Sequence, residues 1–332
     1  MKPRIALVTG GYSGEAEISY GSTDTIKKNI DPEKFDFFII DITPSGWFYQ
    51  DETGAKKEVN RSDFTIIIKG KTIRFDAVLF SIHGTPGEDG KLQGYLDMLG
   101  IPYTSCNAAT SAITFNKRYT VAVAAFSGIS VANSILLFKD YQNTPDQLKA
   151  IKKLRFPVFV KPNNGGSSIG MSKVATPDHI EAAIEKAFKE DSQVLVEEFI
   201  PGREFTVGVY KAKGTVTALP VTEIISENEF FDFEAKYKGA SDEITPAQID
   251  ISLTTLIQNE AVKIYKLFNC QGIIRVDFIY NASTRKLYML EINTVPGQTA
   301  ASLVPQQVVS AGISLMKFYT GLIEECLRQA KA

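Results

Sequence analysis

The sequence predicts a mixed protein, α/β in its N-terminal part and α+β elsewhere, with an N-terminal parallel sheet and more than one domain. Its 332 residues exceed what one hydrophobic core usually holds and suit two or three domains. In the first hundred residues, apolar runs at 5–8, 35–40 and 77–80 alternate with helical patterns at 19–29 and 91–99. Strands that alternate with helices are typical of a mostly parallel sheet with both faces covered.

The rest of the chain predicts shorter, more varied elements. These are antiparallel strands within 47–68, a helix at 112–126, a strand at 156–160, a glycine- and serine-rich turn at 163–170, an amphipathic helix at 177–189, strands at 194–196, 205–210, 215–221, 273–280 and 287–292, a polar loop at 226–245, a helix at 247–269 and a C-terminal helix from about Ser314.

Composition argues against several classes of protein. The net charge is −2, whereas a nucleic-acid binder usually carries a basic excess. No apolar stretch approaches the length of a transmembrane helix, and the run at 5–8 is too short for a signal peptide, which predicts a cytoplasmic protein without a membrane partner. Three widely spaced cysteines and two histidines indicate neither a disulfide framework nor a zinc site.

A lysine followed by a flexible loop forms the first candidate site, at 160–170. Lys161 ends an apolar strand, and a run of glycines and serines follows it. Glycines let backbone amides approach phosphate oxygens closely, and lysine adds a positive charge. An ordinary surface loop after a strand is the open alternative, and a P-loop is excluded because the Gly-Lys-Ser/Thr order is absent.

Two predicted strands carry the second candidate site. Side chains two residues apart on a strand share a face, so Arg275 lies beside Asp277, and Glu291 beside Asn293. If the strands pair, three oxygen-bearing side chains converge with one arginine, and oxygen ligands are those that Mg²⁺ prefers beside nucleotide phosphates. Two solvated faces are the alternative. The apolar neighbours at 274, 276, 290 and 292 argue against it because they would bury the other face.

Three further loops have ligand-binding character. The turn at 293–303 follows the second of these strands, and its amides could hold an oxyanion. The glycine-rich loop at 10–19 follows the first strand and offers Glu15 and Glu17 to a substrate ammonium, although a carboxylate near a helix start also satisfies the helix dipole. The loop at 81–90 presents His83 at the end of another strand.

In order along the chain, these segments resemble the D-alanine–D-alanine ligase family of the ATP-grasp superfamily. The resemblance rests on GGYSGEAEIS, HGTPGEDGKLQG, FNK at 115–117, VKPNNGGSSIGMSKV, EEFIPGREFTVGV, FFDFEAKY, RVDF and EINTVPGQTAASLVP. It implies a three-domain ATP-grasp fold with an N-terminal substrate domain at 1–110, a central domain at 111–200 and a C-terminal, metal-binding domain at 201–332. ATP would lie between the last two. The segments 47–71 and 238–245 depart from the family pattern without removing a motif residue.

The resemblance also implies a role for individual residues. The lysines at the ATP phosphates would be Lys117, Lys161 and the loop residue Lys236. The nucleoside would be read by Glu197, Glu198, Ile200 and Glu204, and magnesium would be held by Asp277, Glu291 and Asn293. Arg275 and the amide of Gly297 would lie around the phosphoryl and tetrahedral oxyanions. The first D-alanine would be oriented by Glu17, Ser167 and Tyr237 beside His83, and the second carboxylate would be clamped by Ser302 and Leu303.

The activity that the resemblance implies is ATP-dependent ligation of two D-alanines through a D-alanyl phosphate, for peptidoglycan precursor synthesis. ATP and Mg²⁺ or Mn²⁺ are the expected cofactors, and a cytoplasmic homodimer is the expected form. A ligase that uses another acceptor such as D-lactate is one alternative. A nucleotide-binding module without catalysis is the other.

Overall fold

The computed structural model describes residues 1–51, 53–139, 145–165, 170–226 and 241–330. Its helices are α1 Ala16–Asn29, α2 Lys91–Leu99, α3 Ala108–Phe115, α4 Lys117–Phe126, α5 Pro145–Lys152, α6 Ile180–Ala187, α7 Ile251–Leu267, α8 Leu303–Ser310 and α9 Leu315–Gln329. A short 3-10 helix, Pro177–His179, precedes α6.

The strands of the described residues run in chain order as follows: β1 Arg4–Gly10, β2 Asp36–Thr43, β3 Gly46–Gln50, β4 Lys56–Glu58, β5 Ile66–Ile68, β6 Lys71–Ile73, β7 Ala77–Phe80, β8 Ser134–Phe138, β9 Val158–Pro162, β10 Ser172–Val174, β11 Gln193–Glu198, β12 Arg203–Ala212, β13 Thr215–Ala218, β14 Thr222–Ser226, β15 Ser241–Ile244, β16 Ile273–Asn281 and β17 Lys286–Asn293.

The N-terminal sheet confirms the predicted parallel arrangement. Its order is β4-β3-β2-β1-β7, and β1 pairs in parallel with both β2 and β7. The apolar side chains of β1 are fully buried because they alternate between two cores. Ile5 and Leu7 enter the core on one face, whereas Ala6 and Val8 enter the other. The predicted antiparallel segment is also confirmed, since β3 and β4 extend this sheet and β5 pairs with β6.

Two antiparallel sheets follow. The central sheet has the order β10-β9-β11-β8, and α6 packs on it through Ile180 and Ile184. The third sheet has the order β15-β14-β12-β16-β17, with β13 paired to β12. The apolar stripe of α7, including Ile257 and Ile264, covers one face of this third sheet, which leaves its other face free to carry polar side chains.

Some predicted elements differ from the structure. The polar loop expected at 226–245 includes a strand, β15. The helix expected at 112–126 is two helices, α3 and α4, because Asn116 has extended backbone angles and caps α4 by accepting a hydrogen bond from the amide of Tyr119. The strand expected at 215–221 is shorter in the structure, since β13 ends at Ala218 and a separate strand, β14, begins at Thr222. Among the residues that the structure describes, none of the helices has the length and apolarity needed to span a bilayer.

The sheets are joined by elements that cross between them. Helix α9, from the end of the chain, buries Phe318, Leu322 and Ile323 in the same core as Ile5 and Leu7 of β1. At a second contact, the loop before β16 meets the loop before α3. There Gly272 has a φ of 63°, and a side chain at this position would overlap the carbonyl oxygen of Thr104. The N-terminal sheet is therefore packed directly against C-terminal elements.

Candidate active site

A cavity of about 490 Å³ lies where the loops of the N-terminal sheet meet β17 and the turn after it. This volume is within the usual range for small-molecule sites. Among the described residues, the predicted site side chains that line it are Glu17, His83, Lys117, Arg275, Glu291, Asn293, Gly297, Ser302 and Leu303. The cavity therefore brings residues of both ends of the chain together.

Strands β16 and β17 are paired, which is the condition under which the sequence predicts that Arg275, Asp277, Glu291 and Asn293 converge. The strands are antiparallel, with Arg275 opposite Asn293 and Asp277 opposite Glu291. The guanidinium of Arg275 donates to both oxygens of Asp277, from Nε at 2.9 Å and from Nη2 at 2.8 Å. The Asn293 amide donates to the same carboxylate at 3.1 Å, so arginine and amide form one cluster around the buried carboxylate.

A fourth donor, the hydroxyl of Thr206, completes the surroundings of Asp277. A carboxylate has about four favourable acceptor positions, and all four are used here. Asp277 is only 6% exposed, and the cluster supplies the compensation that a buried charge requires.

One detail of β17 was predicted wrongly. Leu290 was expected to share the buried face of Ile292. The register instead shifts after Asp277, so that Phe278 pairs with Met289 and Leu290 has no partner across the strands. Both Leu290 and Ile292 border the cavity, but only Ile292 is also a buried member of the core, whereas Leu290 is partly exposed. Bulges often re-aim side chains beside active sites.

His83 is held as a neutral ring. It is 7% exposed, its Nε2 lies 3.2 Å from the hydroxyl of Ser22, and its backbone amide donates to Ser19 at 3.0 Å. Burial, with a smaller contribution from the positive charge of Arg275, lowers the pKa of His83 to about 4. The ring can therefore exchange hydrogen bonds at neutral pH without adding a charge.

Two acidic residues that the sequence argument missed also line the cavity, Glu88 and Glu243. Glu88 accepts a hydrogen bond from the amide of Gly84 at 3.0 Å. Burial and then the negative charge of Glu15 raise its pKa above the usual range of a carboxyl. Burial also raises the pKa of Glu243, although a hydrogen bond from Gln306 lowers it in part. Glu88 lies within the motif HGTPGEDG, and its position directly after a glycine is the feature of the sequence that could have marked it as a site residue.

Lys117 is fixed at the first turn of α4 by the central sheet. Its backbone amide donates to the carbonyl of Asn163 at 3.0 Å, and its Nζ donates to the carbonyl of Gly165 at 2.6 Å. Asn163 is fully buried and also accepts from the amide of Arg118. The start of the glycine-rich segment and the start of α4 are thus joined by hydrogen bonds.

The residues expected at the nucleoside lie on the central sheet and on β12, and are not part of the cavity lining given above. Lys161 on β9 pairs with Glu197 on β11, with Nζ 2.6 Å from the carboxylate. The Glu198 carboxylate accepts from the amide of Arg155 at 2.8 Å. Ile200 is buried, and Glu204 stands on β12 opposite Ile224 and Ile279.

The turn after β17 is compact. The hydroxyl of Ser302 accepts from the amide of Thr299 at 3.1 Å, and a side chain at Gly297 would come within 2.8 Å of that hydroxyl. Gly297 therefore allows the turn to fold onto the start of α8. Three predicted site residues, Ser167, Lys236 and Tyr237, lie outside the described residues.

Comparison with known proteins agrees with this geometry. A family model described as the D-ala D-ala ligase N-terminus matches residues 4–106, and one described as the C-terminus matches residues 123–324. The D-alanine–D-alanine ligase of Azobacteroides pseudotrichonymphae genomovar. CFP2 is 46% identical over 321 residues, covering 96% of this chain and 98% of the relative. That of Parabacteroides distasonis is 45% identical over 331 residues, covering 100% of this chain and 99% of the relative.

Solved structures of D-alanine ligases are also similar to this chain. The D-Ala:D-Ser ligase VanG from Enterococcus faecalis has a TM-score of 0.88 and 34% identity, covering 98% of this chain and 99% of that one. An ATP complex of the Bacillus anthracis D-alanine–D-alanine ligase has a TM-score of 0.78 and 30% identity, covering 99% of each chain. The fold is the ATP-grasp fold, and the chain belongs to the D-alanine–D-alanine ligase family.

Proposed function

We propose that this protein joins two D-alanine molecules into D-alanyl-D-alanine at the expense of ATP, as a step of peptidoglycan precursor synthesis. The observation that supports this most directly is that Glu17 and His83 from the N-terminal loops line the same cavity as Arg275, Glu291 and Asn293 from the C-terminal strands. Amino-acid recognition and phosphoryl transfer require these two sets of groups side by side.

A free carboxylate is a poor electrophile and must be activated before an amine can attack it. An oxygen of the first D-alanine carboxylate takes the γ-phosphoryl group of ATP, and ADP leaves. The second D-alanine loses one proton from its ammonium group, and the resulting amine attacks the acyl carbon. The nitrogen then releases a second proton, and phosphate leaves as the tetrahedral intermediate collapses to the amide. Arg275 and the amide of Gly297 are suited to stabilise negative charge in these steps, since both line the cavity.

The donor set fits a divalent cation that binds with nucleotide phosphates. Asp277 and Glu291 stand opposite each other on paired strands, and Asn293 is two residues along. Mg²⁺ typically takes one or two carboxylates together with phosphate oxygens and water. Bound Mg²⁺, or Mn²⁺, would neutralise charge on the phosphates. Because the acceptor positions of Asp277 are filled, metal binding there requires at least one hydrogen bond to give way, and the longest is the one from Asn293.

The charges of the cavity suit substrates that carry ammonium groups. Among the described lining residues, five are acidic, namely Glu15, Glu17, Glu88, Glu243 and Glu291, and two are basic, namely Lys117 and Arg275. The pKa of Glu88, raised to about 8, leaves this carboxyl mostly neutral at pH 7, so the other four supply the negative charge. We assign Glu17 and the neutral His83 to the first D-alanine, together with Ser167 and Tyr237. Ser302 and Leu303 are assigned to the carboxylate of the second.

ATP is assigned to the surface shared by the central and third sheets. Lys117, Lys161 and Lys236 would contact its phosphates. Glu197, Glu198 and Ile200 would contact adenine, and Glu204 the ribose. The support is the position of Lys161 and Glu197 on neighbouring strands, with the lysine half-buried beside a buried carboxylate. Lysine at such a position is a point charge for a phosphate oxygen.

We further propose three domains at 1–110, 111–200 and 201–332, a cytoplasmic location and a homodimer. The division is supported by the three main sheets, whose strands fall within 4–80, 134–198 and 203–293. Sedimentation of the purified protein tests the dimer. A sedimenting monomer would contradict it.

Product analysis tests the activity and separates it from its rivals. The protein is incubated with ATP, Mg²⁺ and D-alanine, either without another acceptor or with D-lactate or D-serine at the same concentration as D-alanine. The products are identified by mass spectrometry. D-serine is included because the similar Enterococcus faecalis structure is named a D-Ala:D-Ser ligase. We expect D-alanyl-D-alanine, ADP and phosphate in equal amounts. A mixed product would indicate another acceptor, and ATP binding without ADP release would indicate a module without catalysis.

A further inference from the structure

Trp47 is the single tryptophan of the chain and lies on β3, in the antiparallel extension of the N-terminal sheet. Its side chain is mostly buried, and its indole Nε1 donates a hydrogen bond to the hydroxyl of Tyr12 at 2.9 Å. Tyr12 belongs to the loop between β1 and α1, three residues before Glu15 and five residues before Glu17. The extension therefore reaches a loop that lines the cavity.

Tyr12 also contacts the second N-terminal loop of the cavity. Its backbone amide donates to the carbonyl of Thr85 at 2.8 Å. Thr85 lies two residues after His83 and three residues before Glu88, both of which line the cavity. Tyr12 thus joins the loop that carries Glu17 to the loop that carries His83.

The indole ring is held in place by other aromatic rings. It packs edge-on against Tyr95, with ring centroids 5.1 Å apart, and against Phe64, with centroids 6.0 Å apart. Tyr95 lies on α2, which directly follows the His83 loop. Edge-to-face packing of this kind fixes ring orientation, and here it aims the N–H group at Tyr12.

We propose that Trp47 and Tyr12 are positioning residues for the first D-alanine. Their hydrogen bond anchors the loop of Tyr12 to β3, and the backbone bond from Tyr12 to Thr85 links that loop to the loop of His83. The antiparallel extension therefore contributes to substrate binding without touching the substrate. This inference rests on the proposed ligase function.

The test uses Trp47→Phe and Tyr12→Phe, which each keep an aromatic ring and remove one partner of the hydrogen bond. We expect either variant to raise the KM for the first D-alanine by roughly two- to tenfold, the equilibrium effect of one hydrogen bond, with the KM for ATP unchanged. The double variant should be no worse than the single variants, because both remove the same interaction.

Tyr103→Phe is the matched control. It also loses a tyrosine hydroxyl of the N-terminal region, one that donates to Asp97 at 2.8 Å, and should leave both KM values unchanged. A fall in melting temperature with an unchanged KM for D-alanine would overturn the proposal, and so would equal increases in both KM values or additive effects in the double variant. If the wild-type protein releases no ADP with D-alanine, the ligase function itself fails.

Fluorescence gives a second readout, because Trp47 alone supplies tryptophan emission. D-alanine should shift this emission in the wild-type protein, and Tyr12→Phe should remove the shift at a saturating D-alanine concentration. An equal shift in both proteins would contradict the coupling.

Discussion

The hydroxyl of Ser22 lies 3.2 Å from Nε2 of His83, and it also accepts a hydrogen bond from the amide of Gln298 at 3.0 Å. Helix α1, the loop of His83 and the turn after β17 are thus joined at one buried hydroxyl. The side chain of Gln298 extends the contact by accepting from the hydroxyl of Tyr319 on α9. Since Gly297 precedes Gln298, this junction orients the amide that we assign to the oxyanion.

His83 should stay neutral well below neutral pH. Its pKa of about 4 lies below the ordinary value of 6.5, so the unfolded chain binds more protons between these pH values. The free energy of unfolding should therefore decrease as pH falls from 6.5 towards 4, by up to about 3 kcal/mol from this residue. NMR titration of the ring measures the pKa. A normal value for His83 would contradict the described burial, and His83→Gln should flatten the acid-side slope.

Loss of Glu291 should remove the divalent-cation site. We expect Glu291→Ala to lower the rate of ADP release by at least about a hundredfold, because the charge that the ion supplies is worth several kcal/mol in phosphoryl transfer. The rate is measured over a range of Mg²⁺ concentrations. Glu181→Ala, at an exposed position on α6, is the control and should behave as the wild type. Near-normal turnover by Glu291→Ala would remove the metal assignment.

The pair of Arg275 and Asp277 should contribute to stability as well as to chemistry. Its side chains are 13% and 9% exposed, so Arg275→Met leaves a buried carboxylate without its main partner. We expect a loss of about 3–5 kcal/mol in the free energy of unfolding, measured with urea and without nucleotide. The control is Lys34→Met. It breaks the ion pair with Glu324, whose partners are 49% and 43% exposed, so no buried carboxylate is left without a partner and the loss should be much smaller. Equal losses would show that burial does not set the cost.

Lys161 should be required for nucleotide binding. Lys161→Met removes the positive charge beside Glu197, and we expect the KM for ATP to rise by roughly ten- to a hundredfold, as for loss of a charged hydrogen bond. Lys173→Met on the neighbouring strand β10 is the control, since Lys173 packs over the ring of Phe199. An unchanged KM for ATP in Lys161→Met would refute the assignment.

The close contact at Gly272 should be sensitive to a single methyl group. Gly272→Ala would place a side chain onto the carbonyl of Thr104 in a left-handed conformation. Gly312 has a similar φ of 71°, but a Cβ added there would meet nothing within 4 Å. Gly312→Ala should therefore lower the free energy of unfolding only by the cost of the left-handed backbone, about 1–2 kcal/mol. We expect Gly272→Ala to lose at least about 2 kcal/mol more in thermal or urea unfolding. Equal losses would mean that the two loops separate easily.

The sequence predicted those parts of the structure that local patterns specify. Alternation of apolar and polar side chains predicted strands β16 and β17 and which of their residues share a face, although their pairing was only a condition of that argument. The loops of Glu17 and His83 followed from glycine runs after apolar strands. The break at Asn116 was missed because both halves are helical in composition, and the capping side chain decides the boundary. The bulge at Leu290 was missed because one extra residue leaves the alternation intact on either side.

Glu88 and Glu243 were missed for a different reason. Their importance depends on neighbours that are distant in the chain, namely Glu15 for the first and Gln306 for the second. Local spacing carries no information on such neighbours. The same holds for Trp47, whose sequence predicts a strand but not the tyrosine that it contacts.

Helix α9 ends the described chain, yet its Phe318, Leu322 and Ile323 complete the core beneath β1. Strand β1 is synthesised long before α9, so part of its apolar surface stays uncovered until that helix has been made. Although N-terminal domains usually fold while synthesis continues, folding of this N-terminal sheet should finish only after α9 has emerged from the ribosome.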